Sequence, residues 1–231
     1  MAPKDLASLA ALFADETRAA FLLALLDGRA WTAGELARHA RVAPSTASEH
    51  LGKLVAGGVL AEERQGRHRY VRLADPGVAH LVEDLAARSE PAVPEPPRTL
   101  RAAGAGQAMA RGRTCYDHLA GRLGITVTEA MTVRGLLRQD TGFALTDGGL
   151  AWFEEQGIPL VAEGRRPLAR GCLDWTERKP HLAGLAGAAL CRHAMDAGWC
   201  VRIGSERAVK VTAEGERALH AALGIEPAAL R

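Results

Sequence analysis

The stretch Ser45-Thr46-Ala47-Ser48-Glu49-His50-Leu51-Gly52-Lys53 holds short hydrogen-bonding side chains at helical spacing. At 100° per residue, Ala47, Leu51, Leu54 and Val55 fall in one stripe, with Ser45, Thr46, Glu49 and Lys53 opposite. Ser48 and His50 flank that outer face. Small donors and acceptors on one helix face suit a major groove, where they meet base edges. A second cluster follows at once. Arg64, Arg67, His68, Arg69 and Arg72 gather around Gln65-Gly66. Guanidinium groups at a ribbon tip suit phosphate oxygens or a minor groove. A charged hairpin without a partner is the bland alternative, and the polar-faced helix directly before it argues against that reading.

The cysteines raise a different chemistry. Cys115 and His118 stand three apart in a segment read as a helix, so both could meet one ion. Cys115 is also in helical register with Leu119 and Leu123, the pattern of a buried structural thiol, and that reading is favoured. Cys172 lies beside Asp174 and Trp175 at an expected helix start, where a thiolate is stabilised. Cys115, His118, Cys172 and Trp175 are therefore the candidate effector site, and Cys191 and Cys200 read as core fillers. His80 and Glu83 offer two ligands where zinc takes about four, so they read as a surface pair. No metal site and no cofactor are assigned. Tyr116, Trp152, Phe153, Trp175 and Trp199 either line an apolar pocket or form the core, and core is favoured.

These residues need elements to hold them. Leu6–Phe13 reads as a short amphipathic helix, and Asp15 caps a second one through Leu26. Thr32-Ala33-Gly34-Glu35 is a capping box opening a helix to about Ala40. Arg41–Pro44 is a turn, and Ser45 caps the next helix, which ends at Gly57-Gly58. Val59–Arg64 and Arg67–Leu73 form the two-stranded ribbon. Four prolines between Pro91 and Pro97 stop any helix and mark a stiff linker. This predicts a domain over residues 1–90, a linker over 91–97 and a second domain over 98–231. In the latter, helices are expected over Gly106–Leu123, from Thr126, from Asp174 and over Leu182–Ala197. Leu73–Gly77, Leu145–Gly149 and Val211–Gly215 share an apolar residue, then Thr or Ala, then Gly three positions on. On this reading the second domain reuses the helix–ribbon–helix unit of the first, with shorter ribbons; the alternative is that the pattern is only a common strand-to-helix junction.

Composition narrows the function classes. The net charge is +2, so any nucleic-acid surface must be a local patch. No apolar run approaches the roughly 20 residues of a membrane span, and no cleavable signal is visible. Four widely spaced cysteines do not make a disulfide framework, which points to reduced thiols in the cytoplasm. Gly-rich phosphate loops, His-Glu-x-x-His and G-x-S-x-G are missing.

Residues 10–85 resemble the winged helix-turn-helix domain of ArsR/SmtB-type bacterial transcription regulators. Leu12–Leu26 resembles the family's first conserved helix, Val42–Leu60 its recognition helix and turn, and Gly66–Gly77 its wing and exit. Arg113–Gly124 and Gly171–Gly184 resemble a longer subgroup with an appended domain. The resemblance implies a homodimer, joined through the helices near Leu6–Phe13 and Val78–Arg88, that binds a palindromic double-stranded DNA operator and is released by an effector. The expected fold is mainly α with small β wings, the C-terminal domain being helical and winged-helix-like. Ser45, Thr46, Ser48, Glu49, His50, Lys53, Arg64, Arg67, His68 and Arg69 are the expected DNA contacts. The effector, whether small molecule, redox agent or metal, stays open. So do two rival functions: a thiol-dependent enzyme fused to a DNA-binding module, and an architectural DNA-binding protein.

Overall fold

Asp15 caps the second helix. Helix α1 runs over Pro3–Phe13 and α2 over Glu16–Leu25, with the Asp15 carboxylate accepting from the Arg18 N–H at 2.9 Å. Arg18 reaches back to the carbonyls of Ala11 and Leu12, which α1 leaves without an intrahelical partner. After β1 (Trp31–Thr32), Thr32 and Glu35 cap α3 (Ala33–Ala40) reciprocally, as the sequence predicts. Arg41 at φ 58° then turns the chain into α4 (Pro44–Ala56). The ribbon is β2 (Leu60–Gln65) paired antiparallel with β3 (His68–Leu73), and β1 lies on the far side of β3. Helix α5 (Pro76–Arg88) follows. Phe21, Leu22, Leu25, Leu36, Leu51, Leu54 and Val71 are among the buried apolar residues of these elements.

This computed structural model describes residues 2–65, 68–89, 100–140, 142–161, 166–204 and 207–230. They cluster into two units, Met1–Glu83 and Asp84–Arg231. The expected linker, residues 91–97, lies outside the described residues.

The second unit opens with α6 (Leu100–Arg111) and then repeats one pattern twice. The first round is β4 (Arg113–Cys115), β5 (His118–Ala120), α7 (Gly121–Val133), β6 (Leu137–Arg138), β7 (Ala144–Leu145) and α8 (Asp147–Glu155). The second round is β8 (Arg170–Leu173), β9 (Pro180–Ala183), α9 (Gly184–Asp196), β10 (Cys200–Arg202), β11 (Val209–Val211) and α10 (Ala213–Leu223). Each round is hairpin, helix, hairpin, helix. Its last four elements share the order α4–β2–β3–α5, with ribbons of two and three paired residues in place of six. The reason for the shared Thr and Gly is local. Thr146 donates to the Gly135 carbonyl and caps Gly149 N–H; Thr212 does the same with Gly198 and Gly215. A Cβ on Gly149 or Gly215 would lie 2.1 or 2.0 Å from the Leu136 or Trp199 carbonyl oxygen. Leu123, Val127 and Met131 of α7 and Ala186 and Leu190 of α9 share one core with Trp152, Phe153 and Trp199.

Several expected boundaries are corrected. The helix over Gly106–Leu123 stops at Arg111, and a tight hairpin follows with Tyr116 at φ 58°. Cys115, Leu119 and Leu123 are all buried, but on a strand, the next strand and a helix, so their spacing only imitates one helix face. Helix α7 begins at Gly121, not Thr126, since Gly121 supplies the φ of 71° its entry requires. No helix begins at Asp174. Its carboxylate does accept from the N–H groups of Thr176 and Glu177, as a cap would, but Arg178 at φ 57° turns the chain back into β9. Ser45 does not cap α4: Pro44 is the first helical residue and Ala43 the cap position.

Candidate functional site

Helix α4 presents the face that its periodicity predicts. Ala47, Leu51 and Leu54 are fully buried, Val55 is half-buried, and Ser45, Ser48, Glu49 and Lys53 are exposed, with Thr46 half-buried. Ser48 donates to the Pro44 carbonyl, and Lys53 pairs with Glu49 at 2.7 Å. That exposed ion pair is weak enough to open toward another charge. His50 sits differently. It is half-buried, and its Nδ1 lies 3.4 Å from both Asp15 and Arg18, so it ties α4 to the start of α2.

On the ribbon, Arg64 pairs with Arg69 and Gln65 with His68 across the strands. Arg64 is largely exposed, and Glu62 lies within ion-pair reach of both Arg64 and Arg69. Arg67, at the tip, lies outside the described residues. His68 belongs to β3 by its backbone. Among the other sequence candidates, Glu83 is buried and His80 half-buried, which corrects their reading as a surface pair.

The second unit holds a buried cluster that the sequence only half revealed. Cys115 and His118 face each other across β4 and β5; Cys172 and His181 do the same across β8 and β9. One ligand atom from each of the four lies within 4.8 Å of every other. The two sulfurs are 3.9 Å apart and the two Nε2 atoms 3.1 Å apart. All four residues are at most 5% exposed. The repeats build this arrangement. His118-Leu119-Ala120-Gly121 and His181-Leu182-Ala183-Gly184 occupy equivalent places, and Gly124 and Gly187 let each helix start close against the strand before it. A Cβ on Gly124 would lie 2.4 Å from the Leu119 carbonyl oxygen, and one on Gly187 2.4 Å from that of Leu182.

Around the cluster runs a charged shell. Asp117 binds Arg166 through two bonds and lies 3.3 Å from His118 Nδ1. Burial raises its pKa, but His118 and Arg166 outweigh that and hold the carboxyl well below its usual range. Asp174, fully buried, binds Arg113 at 2.9 Å and the Gly121 N–H at 2.7 Å. It too is held low: burial opposes, while the Arg113 charge and the bonds from Thr176, Glu177 and Gly121 prevail. His181 Nδ1 stands 3.4 Å from Asp174 Oδ2. The bond to Cys115 lowers the pKa of Cys172; burial opposes, and bonds from His118 and His181 reinforce the fall.

The structure therefore brings together Cys115, His118 and Cys172. Trp175 stands in the adjoining turn, with Arg113 over its ring at 5.2 Å. His181, Asp117, Asp174 and Arg113 complete the group and were missed. The repeated His-Leu-Ala-Gly was the sequence signal that could have found His181. Cys191 and Cys200 are core residues, and burial pushes each thiol up to about 12. Trp152, Phe153 and Trp199 pack in the core, Trp175 is half-buried and Tyr116 is exposed.

Comparison with known proteins places this geometry. A helix-turn-helix domain family matches residues 13–63. The HTH-type transcriptional regulator YdfF of Bacillus subtilis is 37% identical over 225 residues, covering 96% of this chain and 98% of that protein. The chain belongs to the HTH-type transcriptional regulators. The HTH-type transcriptional regulator KmtR of Mycobacterium tuberculosis is 34% identical over 46% of this chain and 81% of its own length. The solution structure of the homodimeric winged helix-turn-helix DNA-binding domain of Mb0332 from Mycobacterium bovis is 28% identical over 34% of this chain and 72% of that chain, at a TM-score of 0.33. With the helix-turn-helix family match and the β2–β3 ribbon directly after α4, the first unit is a winged helix-turn-helix. No helix among the described residues is long and apolar enough to cross a membrane.

Proposed function

We propose that this regulator is a homodimeric, cytoplasmic repressor that seats α4 of each copy in the major groove of a palindromic operator. Ser45, Thr46, Ser48, Glu49 and Lys53 face the base edges. Arg64, Arg67, His68 and Arg69 follow the flanking backbone, and His50 holds α4 in place from behind. Residues 98–231 form the sensing or dimer-stabilising domain through which an effector releases the DNA. The observation that carries the reading is the α4 face: small polar side chains outside, fully buried Ala47, Leu51 and Leu54 beneath. The dimer is supported by Leu6 and Leu9 on α1 and Leu81 and Leu85 on α5, each between 37% and 55% exposed. These are the helices that the resemblance assigns to the interface, and a twofold contact would cover them. The relatives are regulators by name, and the burial of Cys172 leaves a substrate no approach to its thiol, which favours regulation over thiol-dependent catalysis.

The test is duplex binding by fluorescence anisotropy across a salt series. Replacing Arg67 and Arg69 with Ala weakens binding to every sequence and lowers the salt slope by about 1 for each lost phosphate contact. Replacing Ser48 and Glu49 with Ala changes sequence preference more than nonspecific affinity. An unchanged slope in the first variant, or an equal loss of both affinities in the second, overturns the assignment.

A further inference from the structure

We propose that Cys115, His118, Cys172 and His181 form a closed tetrahedral site for one divalent ion of the zinc class. The inference concerns the second unit alone and is independent of how the first unit meets DNA. Zinc–sulfur bonds of about 2.3 Å and zinc–nitrogen bonds of about 2.0 Å separate two tetrahedral sulfurs by about 3.8 Å and two nitrogens by about 3.3 Å. The distances here are 3.9 Å between sulfurs and 3.1 Å between Nε2 atoms. The pocket is thus already shaped to the ion. Two thiolates and two imidazoles are also the donor set that zinc prefers to magnesium or calcium.

The histidines are oriented for it. Each has a carboxylate near Nδ1: Asp117 at 3.3 Å for His118 and Asp174 at 3.4 Å for His181. The Asp117 bond favours the proton on His118 Nδ1, which is how metal-bound histidines are commonly fixed, and the nearby Asp174 charge favours the same tautomer at His181 although its Nδ1 makes no hydrogen bond. Both Nε2 lone pairs then face one another at 3.1 Å, a repulsive arrangement until a cation stands between them and the sulfurs. Charge balances as well. Arg166 already answers Asp117 and Arg113 answers Asp174, so two thiolates remain for one dication.

Each round of the repeat supplies one Cys and one His from one hairpin, so the ion joins β4–β5 to β8–β9. Four buried protein ligands leave no position for substrate or water, and the site is structural rather than catalytic. The sequence reading assigned no metal here because it put Cys115 and His118 on one helix and left out His181.

The full chain, purified in reductant and stripped with a chelator, is titrated with Co²⁺ and then Zn²⁺. The expected result is one Co²⁺ per chain with tetrahedral ligand-field bands and a thiolate-to-cobalt charge-transfer band, all erased by Zn²⁺. Zinc loading raises the melting temperature by roughly 10 °C. Cys172→Ser reduces the charge-transfer band by about half, one of two thiolates being lost, and His181→Gln abolishes stoichiometric uptake. If either variant fails to fold, the spectrum of the unaltered protein decides alone. No stoichiometric uptake, an octahedral spectrum without a thiolate band, or a Cys115–Cys172 disulfide that persists in reductant and excludes metal would overturn the proposal.

Discussion

Asp174 is a buried carboxylate on which several parts of the second unit converge. Its two oxygens serve the Arg113 guanidinium, the Thr176 hydroxyl and the N–H groups of Gly121, Thr176 and Glu177, all in a fully buried position. Removing one partner of a buried ion pair leaves the other charged in a poor solvent, at about 3–5 kcal/mol. Asp174→Ala should therefore cost at least that much, read as a fall in the denaturation midpoint of the full chain. A loss under about 1 kcal/mol would mean that Arg113 finds solvent. Asp15 is the contrasting case. It is partly exposed and acts mainly through its capping bond, with Arg18 and His50 within ion-pair reach, so Asp15→Ala costs about 1 kcal/mol and Asp15→Asn, which keeps an acceptor, less. That bond also lowers its pKa below 3.8. The carboxylate's contribution is complete above the unfolded value and disappears as pH falls through the lower folded one. Asp15→Asn should show a weaker loss of stability below pH ~4, followed by urea denaturation at a series of pH values.

At the scale of elements, the glycines that close each strand-to-helix junction are the sharpest test. Gly215→Ala places a Cβ 2.0 Å from the Trp199 carbonyl oxygen, a backbone atom that cannot swing aside. The expected cost is about 2–4 kcal/mol, in the range of other backbone and overpacking errors. Gly34→Ala, where nothing lies within 4 Å, should be neutral or slightly stabilising because it sits inside α3. Comparable melting temperatures for the two variants would contradict this account of the repeat. The same junctions mark what could be read from sequence. Capping is local, so Asp15, Thr32 with Glu35, and the Thr and Gly of the repeats were legible. So was the outer face of α4, whose burial alternates at 3.6 residues. The hairpins were not. Cys115 and Leu119 lie four apart, which helical periodicity claims for itself, and strands of three residues are too short to display alternation. Cys172 and His181 are nine positions apart and meet only because Asp174 and Arg178 fold the chain between them. The Cys–His cluster was thus three-quarters visible as residues and invisible as a site.

For the whole molecule, the account joins a winged helix-turn-helix reader to a second unit made of two similar rounds. Net charge of +2 gives the chain no broad attraction to nucleic acid, so the proposed recognition rests on the α4 face and the wing. Two copies related by a twofold axis would present those faces to half-sites about one helical turn apart. The most direct measurement is selection by the full chain from a pool of randomised duplex DNA, followed by sequencing of the bound fraction. The account predicts enrichment of one palindromic consensus with half-sites spaced about 10 base pairs apart. A bound pool as random as the starting one, or enrichment of single-stranded or unpaired segments, would contradict it.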